Sequence, residues 1–268
     1  MIRMKKWALM LALAIVFLPG ARAESNGLDT GGTGIFQFTE SDVNDTIFAD
    51  SEAPREQSAP QAKTAQGVPI PTATLSPQVA ELPWNLMLVN RDNPVPSDWE
   101  TDLVTLDNGR KVDRRILPEL QAMFDACRKA GLKPTVYTAY RSYEDQKNML
   151  ITKYRQYKKR GYSTKDAQAA ALKVANYPGY SEHQLGLAVD IDSSNTQVCS
   201  NEDVWKWVIT HCYEYGFIWR YPSVKTEITG ISNEYWHFRY VGVEAATYIM
   251  QNKMCLEEYL QEKYGIPY

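Results

Sequence analysis

His183, Asp190 and His237, with Glu234 three positions before the last of them, carry the side chains best suited to metal chemistry in a chain with three histidines in all. The local texts are Ser181-Glu182-His183-Gln184-Leu185-Gly186-Leu187-Ala188-Val189-Asp190-Ile191-Asp192 and Glu234-Tyr235-Trp236-His237. Two imidazoles and one carboxylate suit a borderline cation such as Zn2+, and three ligands leave one tetrahedral position for water. A zinc ion there brings the pKa of its water down to about 7 and polarises a carbonyl. Glu234, near the water but off the metal, is the candidate base, a role commonly worth about 10² to 10⁴ in rate. Asp192 shares a strand face with Asp190 and is either a rival ligand or a carboxylate supporting one from behind.

Other polar residues are weaker candidates. Arg141, in Tyr140-Arg141-Ser142, follows a strand and could clamp a substrate carboxylate in bidentate fashion, although by itself it reads first as a solvated loop arginine stacked on tyrosines. Arg220 and Arg239 are lesser candidates for the same clamp. His211 follows Val204 and Val208 on one helix stripe with no carboxylate pattern nearby, and reads as structural.

The elements that must position these groups alternate from Trp84 to Tyr268. A helix is expected over 113–130, with Leu120, Met123, Phe124 and Cys127 on one face, then a strand over 134–139. Ser142 caps a helix to about 158, and Ser163 or Thr164 caps another that ends before Pro178. Leu187, Val189 and Ile191 alternate with Gly186, Ala188 and Asp190, a strand with one apolar face and one face left open beside a carboxylate. Ser200 caps a helix to about 215, strands follow at 217–221 and 235–240, and a helical stretch covers roughly 243–263. Glu234 and His237 differ by an odd number, so they converge only if the chain bends near Tyr235. The mixture predicts an α+β domain with a central, largely antiparallel sheet flanked by helices.

The amino-terminal part reads differently. Residues 1–23 place Arg3, Lys5 and Lys6 before a twelve-residue apolar run and Ala21-Arg22-Ala23, the grammar of a secretory signal peptide cleaved before Glu24. Twelve residues fall short of the ~20 that span a bilayer, so a membrane tether through an uncleaved segment is the alternative. No cysteine follows the run to carry a lipid. Residues 24–83 hold nine acids and two bases among Ser, Thr, Gly and Pro, and are expected to be a disordered acidic, Pro-rich tether, although Gly34 to Phe38 could form a short strand. Residues 84–268 are balanced at 23 against 23, which offers nucleic acid no broad basic field. The four cysteines, Cys127, Cys199, Cys212 and Cys255, contain no Cys-x-x-Cys pair. Export would permit one or two disulfides; buried free thiols are the other reading.

Taken together, Ser181-x-His183-x-x-Gly186-x-Ala188-x-Asp190, Glu234-x-Trp236-His237 and Tyr140-Arg141-Ser142-x-x-x-Gln146 resemble the VanY-type D-alanyl-D-alanine carboxypeptidases of the LAS group of zinc peptidases, over about residues 84–268. The resemblance implies a single LAS/Hedgehog-like domain with Zn2+ held by His183, Asp190 and His237. It further implies Glu234 as base, Arg141 stabilising substrate or oxyanion, and Gln146, Ser181 and Trp236 around the terminal residue of a peptidoglycan stem peptide. The expected reaction releases D-alanine outside the cytoplasm, at the cell surface or wall. An L,D-carboxypeptidase acting on tetrapeptide stems and a non-catalytic, zinc-stabilised wall-binding module are the alternatives. Oligomeric state leaves no trace in the sequence.

Overall fold

The computed structural model describes residues 64–65, 68–69, 74–96 and 99–268. The expected signal peptide, most of the expected tether and the Gly34 to Phe38 segment lie outside the described residues. Packing begins before Trp84, however. Ser76 caps a short helix, Pro77–Ala80, and Val79 and Leu82 are buried in the main core, so the amino-terminal edge of the domain lies some residues earlier than composition suggests.

Ahead of the central sheet lies a hairpin of β1 (Leu103–Thr105) and β2 (Lys111–Asp113). It was not expected, although Asn108-Gly109 between the strands is a strong short-range hairpin signal and Gly109 has φ +80°. Asp113 ends β2 and caps a 3-10 turn, Arg114–Ile116, so the helix expected from 113 becomes α1 (Leu117–Lys129). Pro118 explains the later start, because its ring and missing N–H are tolerated only in a first turn. Its buried face is Leu120, Met123, Phe124 and Cys127, as the apolar spacing predicts.

Then come β3 (Pro134–Thr138), α2 (Tyr143–Lys159), α3 (Thr164–Leu172), β4 (Ala188–Ser193), α4 (Asn201–His211), β5 (Phe217–Tyr221), β6 (Glu234–Tyr240), α5 (Val243–Gln251) and α6 (Leu256–Tyr264). Ser142 and Ser200 each form a capping box with the aspartate three residues on. The expected helix over 243–263 is two helices, because Lys253 adopts φ +53° and Cys255 caps the second.

The central sheet has order β3-β4-β6-β5 with every pairing antiparallel, an α+β arrangement. Helices α1, α4 and α5 pack around it. Val189 of β4 lies opposite Phe238 of β6, itself opposite Trp219 of β5, and all three join the main core. One residue along, Asp190 lies opposite His237 on the other face. All four cysteines are buried free thiols, and burial pushes the Cys127 and Cys255 thiols up to about 12. The disulfides that export would permit are not formed. Among the described residues no helix is long and apolar enough to cross a membrane.

Candidate metal centre

Sheet register brings two of the three proposed ligands together directly. Asp190 Oδ1 lies 3.1 Å from His237 Nδ1 across the β4–β6 pairing. His183 arrives from outside the sheet on a 3-10 turn, Glu182–Leu185, closed by Gly186 at φ +74°. Leu185 and Leu187 anchor the turn in the core, and the Asp113 amide donates to the Gly186 carbonyl at 3.0 Å. His183 Nε2 thereby lies 3.5 Å from Asp190 Oδ1, and one ligand atom from each of the three residues falls within 4.8 Å of the others.

The donor set fits zinc. A tetrahedral site with bonds of roughly 2.0–2.2 Å separates its ligand atoms by about 3.3–3.6 Å, close to the 3.1 and 3.5 Å from Asp190 to the two imidazoles. Each imidazole also has its outward nitrogen occupied. His183 Nδ1 donates to the Ala139 carbonyl at 2.8 Å, which leaves Nε2 free to ligate. His237 turns the other way, with Nε2 3.4 Å from Glu182 Oε2 and Nδ1 facing Asp190. Partners of this kind orient ligating histidines and set their tautomer.

Glu234 is the first residue of β6, and the bend required of it is present. Phe238 pairs with Trp219 but Glu234 pairs with Tyr221, so two steps along β5 are matched by four along β6. The extra residues let Glu234 and His237 face the same side despite their odd separation, and Glu234 Oε2 comes within 3.7 Å of His237 Nδ1. Trp219 Nε1 fixes the junction by donating to the Glu234 carbonyl at 2.9 Å.

Arg141, Ser181, His183, Tyr221, Glu234 and His237 line one cavity. Arg141 is held by its backbone, which donates to the His183 carbonyl at 3.2 Å, and by its Nε, which donates to Gln146 Oε1 at 2.9 Å. Gln146 is fully buried, and its Nε2 donates to the Asn176 carbonyl at 2.8 Å. It therefore sits behind the arginine rather than on the cavity wall. Trp236 points away from His237, as the next residue on a strand must, and packs against Trp205 with ring centroids 5.9 Å apart.

Two arginines are elsewhere. Arg220 and Arg239 are entirely buried and ion-paired, which removes both as clamps for a substrate carboxylate. Arg220 donates to Glu182 and, through two nitrogens, to Glu257 at 2.8 and 2.6 Å. Arg239 donates to Glu182 and to three backbone carbonyls. Asp192 accepts from Trp205 Nε1 at 3.1 Å, and the three-residue cluster at the centre does not include it. His211 stacks on Trp207 with centroids 4.3 Å apart.

Sequence reasoning passed over Glu182 and Tyr221. Glu182 could have been noticed as the charged residue directly beside His183. Tyr221 carries no comparable signal; its ring lies 4.8 Å from that of His237.

The electrostatics divide these groups. Burial, with the Arg141 charge adding to it, brings His183 down to about 4. Burial also acts against charge on His237, yet hydrogen bonds to Asp190 and Glu182 lift it to about 9. Asp190 and Glu182 would rise on burial alone; the imidazoles around Asp190, and Arg220 and Arg239 beside Glu182, hold both well below the usual carboxylate range. Burial pushes the Glu234 carboxyl up to about 7, against the pull of His237 and Arg141. A carboxyl poised near neutrality beside a metal-ligand set is the arrangement of a general base.

Residues 109–243 match the family model for VanY, D-alanyl-D-alanine carboxypeptidase. A D-alanyl-D-alanine carboxypeptidase of Enterococcus faecalis is 49% identical over 188 residues, 70% of each chain. The structure of VanYB in complex with D-alanine-D-alanine is 48% identical with a TM-score of 0.66, covering 68% of this chain and 99% of that one. A vancomycin-resistance D,D-pentapeptidase VanY in complex with Zn(II) is 49% identical with a TM-score of 0.65, covering 66% and 99%.

Proposed function

The chain belongs to the VanY family of D-alanyl-D-alanine carboxypeptidases, and from that premise we propose that it hydrolyses the terminal D-Ala-D-Ala bond of peptidoglycan stem peptides in a zinc-dependent reaction that releases D-alanine. The observation that carries this reading is the convergence of His183, Asp190 and His237 with Glu234 3.7 Å from the last of them.

His183 Nε2, Asp190 Oδ1 and His237 Nδ1 would hold the zinc. When bound, the ion supplies a Lewis acid for the scissile carbonyl and makes a water more acidic. In the proposed reaction Glu234 Oε2 takes the proton of the attacking water and passes it to the amine nitrogen of the departing D-alanine. Burial lifts this carboxyl to about 7 in the metal-free site, against the charge it must carry as a base, and so favours its taking up a proton and returning it. Arg141 faces the same cavity, and its guanidinium supplies positive charge for the terminal carboxylate or for the oxyanion that develops at the carbonyl. Gln146 aims that guanidinium, and Ser181 offers a hydroxyl at the cavity wall.

Glu234→Gln tests the assignment. It removes the base while keeping side-chain volume, so the variant should retain zinc, and release of D-alanine from a pentapeptide stem should fall by about 10² to 10⁴. Undiminished turnover would refute the role of Glu234. Loss of alanine only from a tetrapeptide stem would favour L,D specificity, and an inactive zinc-bound wild type would favour a wall-binding module.

We also propose that the enzyme works outside the cytoplasm, on the strength of the secretory grammar of residues 1–23. Mass spectrometry of the protein from culture medium or cell wall should find an amino terminus at Glu24. A chain retained in the cytoplasm with Met1 intact would contradict this.

A further inference from the structure

Glu182 sits immediately before a proposed zinc ligand, yet it is 1% exposed and is absent from the cavity wall. Its two oxygens have separate partners. Oε1 accepts from Arg220 Nε at 2.8 Å and Arg239 Nη1 at 3.0 Å, and Oε2 faces His237 Nε2 at 3.4 Å. Both arginines have no exposed surface, and each has its remaining nitrogens bound by Glu257 or by main-chain carbonyls. The carboxylate thus has few other arrangements open to it. Two buried arginines and two buried glutamates balance in charge, which is the condition under which such groups persist in a core.

We propose that Glu182 is a positioning residue that keeps the His237 proton on Nε2, so that the Nδ1 lone pair is directed toward Asp190 and the metal. The proposal rests on the zinc-site reading above and extends it to a residue that never touches substrate. His183 and His237 present opposite ring nitrogens to Asp190, with unlike acceptors behind them, a neutral carbonyl behind the first and an anionic carboxylate behind the second. The anionic partner makes His237 the more electron-rich donor of the two. Arg220 and Arg239 act through Glu182, by fixing which of its oxygens faces the imidazole.

Glu182→Gln separates this role from packing. Guanidinium groups only donate, so the amide oxygen must take the place of Oε1 and the amide NH2 must face His237 Nε2. That nitrogen must then accept, the imidazole proton moves to Nδ1, and the ligand is lost. The zinc dissociation constant, read on full-length protein by competition with a chromogenic chelator, should rise about 10- to 100-fold. Glu257→Gln is the control, because it disturbs Arg220 but leaves Arg239 on Glu182 Oε1 and does not touch His237, so zinc affinity should stay near wild type. An unchanged affinity in Glu182→Gln overturns the proposal, as does an equal loss in Glu257→Gln, which would make the effect one of packing. If Glu182→Gln does not fold, long-range 1H–15N correlation spectra of zinc-loaded wild type decide. A proton on His237 Nε2 supports the role, and ligation through Nε2 overturns it. A wild type that takes up no zinc overturns the metal reading, and the proposal with it.

Discussion

Replacing Gly186 with alanine should destabilise the domain and loosen the metal site together. Gly186 ends the turn that carries His183, at φ +74°, where a Cβ costs roughly 1–2 kcal/mol in backbone conformation alone. The surroundings add to this, because a Cβ would lie 2.8 Å from Thr101 Cγ2, 3.1 Å from the Asp113 amide nitrogen and 3.3 Å from Asp113 Cβ. Thr101 can turn aside, but the Asp113 backbone is fixed by its strand pairing and by its bond to the Gly186 carbonyl. Overpacking of this kind costs about 1–3 kcal/mol, for a total near 2–5 kcal/mol. In a domain of this size each kcal/mol lowers Tm by about 2–4 °C, so scanning calorimetry should find a drop of about 4–20 °C. Gly131→Ala supplies the comparison. Gly131 has φ +87° and nothing within 4 Å of the added Cβ, so it should lose only the conformational part, about 1–2 kcal/mol, with zinc affinity unchanged. If both variants melt alike, or if Gly186→Ala binds zinc as tightly as wild type, the claim that close packing beneath the turn sets the position of His183 is wrong.

Gln146→Ala should leave zinc bound but release the Arg141 guanidinium from its 2.9 Å hydrogen bond. Losing a hydrogen bond to a charged group costs about 1.5–3 kcal/mol, so kcat/KM for the pentapeptide should fall roughly 10- to 150-fold, and steady-state kinetics showing no loss would remove Gln146 from the site. Zinc affinity should weaken as pH falls from 8 to 6. His237, lifted to about 9, is protonated across that range in the metal-free protein and must shed its proton to ligate, whereas His183, at about 4, is already neutral. The dissociation constant should therefore rise by at least about tenfold per pH unit, and chelator competition showing no dependence on pH would refute the raised pKa.

The elements were legible wherever the signal is local. Serine caps at 142, 163 and 200, the apolar stripe of α1, and alternation along β4 each concern neighbours within a few residues, and each element is present close to its expected bounds. The errors are local as well. Pro118 delays the start of α1 and Asn108-Gly109 turns a hairpin, both signals of a few residues, and the break at Lys253 is hidden by apolar residues on both sides of it.

The chain by itself determined the kinds of group at the centre, because two histidines, an aspartate and a glutamate in these texts have few chemical uses together. It also implied the bend before His237, since strand parity forbids Glu234 and His237 from converging without one. Only the tertiary structure decided which charges serve that centre. Arg220 and Arg239 read as possible surface clamps, yet each is buried against Glu182, at sequence separations of 38 and 57 residues. Glu182 in turn meets His237 across 55 residues. No local pattern encodes such a pairing. A buried charge is tolerated only when the fold brings it a partner, and the partner is chosen by strand register and helix packing, not by spacing along the chain.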